Sequence, residues 1–440
     1  MGGGLSALAV SRLSGVAIVN VHRQDSISDG MHIDLGRVAH TVTKALDYVG
    51  IDDQSHGRRV GLMTHRVAHE LGWDREMRHF ALIAGMIHDC GVSSTAAHQK
   101  LVDEIEWKGA GEHCLRGGDF LDGFPPFAQY AGAVRFHHTR WNELPDWLDE
   151  STGRVANLIF LTDRLDVVRS AYLSTHHAYE VLRHRDQIVA KLAPLSGSLF
   201  APDLFDALNQ AILRDSFWLE TEDEFLDSAI FETLSFWDHS MILGFDDLLA
   251  LGEMISQIVD AKSPFTHDHS LRVADLTYAV TNMLGFSPRR RQMLRLAALL
   301  HDIGKLRTPD EILEKPGALT ETERDIMLRH PMDSKMVLAA LFPGTPIGRW
   351  ASNHHEKLDG SGYPFGWSGD QIDEETRVLT ICDIFQALCQ KRPYRGRLRA
   401  DEVVAIMRKM VEAGEIDPTI FRIVAANQDE LYKTATREGR

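Results

Sequence analysis

An all-α fold built from two similar halves is what this chain predicts, on three observations. Apolar residues recur three and four apart along most of its length. Strand-like alternation is scarce, and one histidine series occurs twice at matched spacing. Helical periodicity runs from Arg58 to Leu71, Met77 to Ile87, Leu248 to Val259, Leu271 to Leu284 and Arg290 to Leu300. Breaks fall at Gly72, Gly285, Gly304 and Pro316, residues that end or interrupt helices.

The repeat emerges when the halves are aligned. HGRRVGLMTHRVAHELGW from His56 matches HSLRVADLTYAVTNMLGF from His269. The first histidine lies 32 residues before an HD pair in both halves (56 to 88, 269 to 301). A later pair is spaced by 24 in both (113 to 137, 330 to 354). Each series closes on an Asp after an apolar run, Asp163 in LIFLTD and Asp383 in VLTICD. Two equal long spacings with matching residue types indicate a duplicated domain rather than a short-period solenoid. The predicted organisation is a segment 1–30 of no defined fold, a first domain over 31–240 and a second over 246–440, joined near Trp237 to Phe245.

At 440 residues the chain suits two domains. Its net charge of −16 argues against a duplex nucleic-acid binder, which needs a broad basic face. A few arginines in a cleft still suffice for a small anion. The four cysteines, Cys90, Cys114, Cys382 and Cys389, have no CxxC spacing, so neither a disulfide framework nor a thiolate zinc site is expected. The start lacks a basic n-region before an uninterrupted apolar core, and no stretch is long and apolar enough to span a bilayer. The expected compartment is reducing cytoplasm.

In the second half, His269, His301, Asp302, His330, His354, His355 and Asp383 supply five imidazoles and two carboxylates without sulfur, a set suited to divalent Mn, Fe, Co or Zn. That exceeds one tetrahedral ion and is about enough for two, with Asp302 placed to bridge. Such a pair can hold a bridging hydroxide and clamp a phosphodiester for in-line attack. Lys305 follows His301 by four residues, within reach of a phosphate oxygen or a leaving group. Arg392 and Arg395 of QKRPYRGR carry planar forks for phosphate or a guanine edge. Gly360, Gly362 and Pro364 make a tight loop that lets Tyr363 line the pocket.

HSLRV at His269, HDIGK, PDEILEKPGALTETE, His330-Pro331, HHEKLDGSGYP and ICDIFQAL followed by RPYR resemble the HD-GYP subfamily of HD-domain phosphohydrolases over most of residues 246–400. The resemblance implies an all-helical fold with a bimetallic or trimetallic centre and hydrolysis of cyclic dinucleotides to the linear form. Cyclic di-GMP is the default substrate and 3′,3′-cyclic GMP-AMP the alternative. By position, His269, His301, Asp302 and Asp383 hold one ion, and Asp302, His330, His354 and His355 the other. Lys305 assists at the phosphate, while Tyr363, Arg392 and Arg395 contact the nucleotide. Trimetallic members carry a Glu where this chain has Phe265, so two ions are expected, iron or manganese first, with cobalt, nickel and zinc as alternatives. The resemblance also allows contacts with diguanylate cyclases or other regulators. It leaves the oligomeric state open.

The first half keeps His56, His88, Asp89, His113, His137, His138 and Asp163, a second candidate metal site. It lacks the rest: Val92 stands where Lys305 would, HHTRWNELPDW replaces HHEKLDGSGYP, and no RPYR follows Asp163. An HD-type domain without the GYP elements is expected there, either a retained scaffold or a second phosphohydrolase or nucleotidase. Asp52 reads as a solvated helix-start residue, as does His267. His65, His69 and Glu70 read as a solvated or interdomain face, and His176-His177 as surface. The rival to catalysis is an inactive cyclic-dinucleotide-binding module that signals through protein contacts. The intact ligand set and Lys305 weigh against it.

Overall fold

The computed structural model describes residues 30–47, 55–92, 101, 109–174, 180–236, 240–262, 268–390 and 396–437. Helices dominate, as predicted, and the periodic stretches become helices His56–Glu70, Arg75–Ile87, Phe245–Asp260, His269–Met283 and Pro288–Leu300. In each half the first histidine helix packs antiparallel on the next through small residues. A Cβ on Gly61 would lie 2.5 Å from Met86 Cγ, and one on Gly85 would lie 2.9 Å from the Gly61 Cα. Ala274 and Ala298, both fully buried, hold the corresponding places in the second half. Gly72 (φ +69°) and Gly285 (φ +75°) supply the left-handed residue that ends the first helix of each pair.

Two matched pairs of ligand-bearing helices start on side-chain caps. Asp74 accepts from Met77 N–H and Ser287 from Arg290 N–H, while Asp149 and Asp373 start helices Glu150–Leu173 and Glu374–Cys389 by accepting from Thr152 and Thr376. Those two long helices carry Asp163 and Asp383 into the interior, where both residues are buried.

Among the described residues one short sheet accompanies the helices. Gly30–Asp34 (β1) and Ser240–Gly244 (β2) pair antiparallel, with His32 opposite Ile242. Each strand is too short to show alternation in sequence, and each leads directly into a helix, Leu35–Leu46 and Phe245–Asp260. Each leading helix packs on its own half, Leu35–Leu46 on Arg75–Ile87 and Phe245–Asp260 on Pro288–Leu300, and also reaches the other half. Leu35–Leu46 packs on helix His330–Leu341 and the turn Ile303–Arg307, and Phe245–Asp260 packs on helix Gly111–Asp122. One continuous apolar core runs from Ile33 to Ala435 through both halves. Among the described residues no helix is long and apolar enough to cross a membrane.

Candidate metal centres

The local folding that builds each centre is the same. Helices Arg75–Ile87 and Pro288–Leu300 end on His88 and His301, so the HD pairs sit at helix C-termini, where the peptide dipoles favour a cation. His56 and His269 open the helices packed beside them, and His330 opens the helix His330–Leu341. His137 follows helix Ala131–Phe136, and His354 follows helix Ile347–Ser352 and Asn353.

In the second half the two oxygens of Asp302 face different histidines. Oδ2 lies 3.6 Å from His269 Nε2 and 3.3 Å from His301 Nε2; Oδ1 lies 3.5 Å from His330 Nε2 and 3.8 Å from His354 Nε2. Asp383 Oδ1 adds to the first group, 3.3 Å from His269 and 3.8 Å from His301. The donors of His269, His301 and Asp383 form one cluster, and those of His330, His354 and His355 a second. The carboxylate between them is placed to be shared.

The first half repeats this pattern. Asp89 Oδ2 faces His56 (3.8 Å) and His88 (3.4 Å), while Oδ1 faces His113 (3.2 Å) and His137 (3.7 Å). Asp163 Oδ1 is 3.3 Å from His56 Nε2, and its Oδ2 is 3.7 Å from His138 Nε2.

Both centres fit metal ions on their own chemistry. The Nε2 atoms of His88, His301, His330 and His354 and the Oδ1 atoms of Asp89 and Asp302 are buried without a hydrogen-bond partner, a cost that an ion removes. Meanwhile Nδ1 is occupied, which aims Nε2 inward: His88, His137, His301, His330 and His354 each bond the carbonyl three residues back, at 2.5–2.8 Å. Burial, with the nearby Lys305 ammonium, holds His330 down at about 3; burial, with neighbouring His301, holds His354 at about 4. Both are therefore neutral, the form that donates to a metal. Burial pushes the Asp302 carboxyl up, but His301, Lys305 and His330 outweigh it and hold the group well below its usual range.

The halves differ around this shared scaffold. Lys305 Nζ bonds Asp302 Oδ2 at 2.5 Å, whereas Val92 is simply buried. Tyr363 stacks on His355 with ring centroids 4.6 Å apart, and its N–H donates to the His355 carbonyl. Glu356, which sequence reasoning passed over, is buried and accepts from Phe365 N–H (2.7 Å) and Trp367 N–H (2.8 Å), tying the Tyr363 loop down beside the histidines. Its only signal was a carboxylate directly after the paired histidines. His269 Nδ1 meets Gln386 at 2.6 Å, but His56 Nδ1 meets Asp166 at 2.9 Å, and Asp166 is also forked by Arg59. Arg164, fully buried, forks onto Asp163 where the second half has Ile384. Arg392, Arg395, Asp52, Phe265, His267 and the His176-His177 pair lie outside the described residues.

The expected solvated face at His65, His69 and Glu70 is corrected in part. His65 is half-buried and, by burial together with Arg66 and Arg78, is held at about 3. With His69, Arg75, Arg78 and Arg214 it lines a cavity of about 720 Å³ inside the first half. A helix surface that reads as polar is here closed by helices from later in the chain. One thiol stands nearer the metal sites than its spacing in sequence suggests. Cys114 Sγ lies 3.6 Å from His113 Nε2 and 3.8 Å from His137 Nε2, inside the first-half cluster. No CxxC partner announces it, because its neighbours arrive from other segments.

With this geometry in view, likeness to known proteins is informative. The HD domain family model matches residues 253–420. The chain is 36% identical over 414 residues, 94% of its length and 96% of the relative's, to 3′3′-cGAMP-specific phosphodiesterase 1 of Vibrio cholerae serotype O1. It belongs to the HD-GYP phosphodiesterases. A cyclic di-GMP phosphodiesterase of Pseudomonas aeruginosa is 38% identical over 160 residues, 36% of this chain and 38% of that one. Among solved structures, a cyclic GMP-AMP-specific phosphodiesterase of V. cholerae superposes with a TM-score of 0.61 at 25% identity, covering 91% of this HD-GYP chain and 98% of the other. Membership makes the enzyme metal-dependent, and both histidine clusters have the donors such dependence needs.

Proposed function

We propose that this HD-GYP phosphodiesterase opens the ring of 3′,3′-cyclic GMP-AMP at its second-half centre, releasing the linear dinucleotide. The observation that carries the hydrolytic reading is Asp302, whose two oxygens serve two separate histidine groups. The base preference is supported by the 36% identity that runs the full length of a relative named for that substrate. Cyclic di-GMP, the default from sequence, is the competitor.

The chain's own residues take these parts in the proposal. His269, His301 and Asp383 would hold one divalent ion and His330, His354 and His355 the other, with Asp302 placed between the two groups. The all-nitrogen-and-oxygen set suits iron or manganese. Bound ions would polarise the phosphodiester and lower the pKa of the attacking water. Lys305 neutralises Asp302 before substrate arrives and then donates to a phosphate oxygen or the departing ribose oxygen. Tyr363, braced by His355 and by the loop that Glu356 holds, forms a wall for a nucleotide base. Arg392 and Arg395 are assigned to the phosphates or a guanine edge on sequence position alone.

Two HD-type units, over 31–240 and 246–440, are part of the same proposal, with β1 and β2 as matching leads into each. The intact donor set of the first half supports a second phosphohydrolase there, acting on the linear product or its 5′-phosphate. The test is turnover of both cyclic dinucleotides by metal-loaded protein. Asp302→Ala should abolish ring opening, and cyclic GMP-AMP should be the faster substrate. Full ring opening in Asp302→Ala would sink the assignment, and equal turnover would remove the base preference. Asp89→Ala should spare ring opening while first-half metal is lost.

A further inference from the structure

The first-half centre contains a donor that the second half lacks. Cys114 follows His113 on helix Gly111–Asp122, and its thiol is buried; the corresponding residue in the second half is Pro331. Three donor atoms converge there. His113 Nε2 and His137 Nε2 are 3.2 Å apart, and Cys114 Sγ is 3.6 Å from the first and 3.8 Å from the second. Tetrahedral bonds from one zinc-like ion would separate two nitrogens by roughly 3.4 Å and a nitrogen from a sulfur by roughly 3.6 Å. The triangle therefore has nearly the edges that a common ion would impose. His138 belongs to the same cluster.

The bland alternative is a buried thiol that merely caps a carbonyl, since Sγ lies 3.2 Å from the Ala110 oxygen. A neighbouring atom argues otherwise. In the second half His330 Nδ1 donates to the carbonyl three residues back, Met327. The corresponding carbonyl for His113 is Ala110, which the thiol occupies, and His113 Nδ1 is buried without a partner. Turning the sulfur onto an ion frees that carbonyl for His113 Nδ1–H, so one movement satisfies both groups. Cys90, also buried in this half, turns its thiol to Gly117 O instead.

The geometry points to a thiolate-ligated ion in the first half, held by Cys114, His113, His137 and His138. This rests on the reading that the first half binds metal. Sulfur favours zinc or iron over manganese. Four protein donors, with Asp89 Oδ1 beside His113 and His137, also make the position closed, the mark of an ion kept for structure rather than for substrate. Any hydrolysis in the first half then falls to the neighbouring ion at His56, His88 and Asp163.

The test uses cobalt(II) in the full-length Asp302→Ala protein, where the second-half centre is disabled. A near-ultraviolet sulfur-to-cobalt charge-transfer band is expected, lost in Cys114→Ser and kept in Cys389→Ser. Cobalt bound without that band, or a band that survives Cys114→Ser, overturns the inference. No first-half cobalt at all would instead overturn the metal reading beneath it. X-ray absorption of the zinc-loaded protein with Cys114 intact is the second measurement. A sulfur shell at about 2.3 Å is expected, and its absence overturns the proposal without any variant having to fold.

Discussion

Gly304, inside the HDIGK turn, is where a single methyl group should stop the enzyme. A Cβ there would lie 2.0 Å from the His330 carbonyl oxygen and 2.7 Å from Ser334 N, both backbone atoms of the helix that carries His330. Backbone cannot swing aside as a side chain can. To restore even a 3.0 Å contact the helix must retreat by about 1 Å, taking His330 from Asp302 Oδ1, now 3.5 Å away. The Ser334 hydroxyl, which accepts from Gly304 N–H and donates to the His301 carbonyl, would be strained as well. A misplacement of about 1 Å costs on the order of 100-fold in rate. Gly304→Ala should therefore lower ring opening by about 100-fold with reduced metal content, read by product chromatography and metal analysis of the folded protein. Gly91 offers an internal control, because its Cβ would meet the His113 carbonyl at the same 2.0 Å. Gly91→Ala should depress first-half metal and leave ring opening within a few-fold of the parent. Unchanged turnover and metal content in Gly304→Ala would refute the claim that this contact sets the position of His330.

Three further outcomes are expected. Glu356→Ala removes the acceptor for Phe365 and Trp367 N–H, so KM for the cyclic dinucleotide should rise about tenfold or more while bound metal is unchanged in a chelator titration. Chelation should lower the melting temperature and re-addition of metal restore it, since ion at about 100 times its Kd contributes about 2.7 kcal/mol; calorimetry with and without chelator checks this. Lys262 is buried and donates to the Leu306 and Thr308 carbonyls, and burial lowers its pKa from 10.5 to about 8 despite Asp310 and Glu311. Between those values the unfolded chain holds the proton and the folded chain does not, so this residue's share of stability rises with pH across that window. The stability difference between parent and Lys262→Met should grow by about 3 kcal/mol from pH 8 to 10.5, and a flat difference in denaturant titrations would contradict it.

Much of this was legible in sequence because helix pairs are rigid rulers. Equal spacings of 32 and 24 residues can recur only if the same hairpins present the same faces, and His56, His88, Asp89, His113 and His137 do gather as His269, His301, Asp302, His330 and His354 do. What stayed hidden depends on meetings between distant segments. Cys114 has no sulfur partner to mark it and acquires meaning only beside His137. Arg164 and Asp166 belong to no motif, yet both are fully buried against first-half ligands. Strands of five residues that pair across the length of the first half leave no local signature at all.

That pairing has a consequence for how the protein is born. β1 has no partner until residues 240–244 exist, and helix Leu35–Leu46, which can settle on His56–Glu70 and Arg75–Ile87, gains its remaining contacts only once His330–Leu341 has formed. During synthesis the edge of β1 therefore stays uncovered while the rest of the first half leaves the ribosome. Contacts this remote in sequence form slowly. The first half can assemble its own histidine hairpins early, but the contact of helix Leu35–Leu46 with helix His330–Leu341 must wait for the second half.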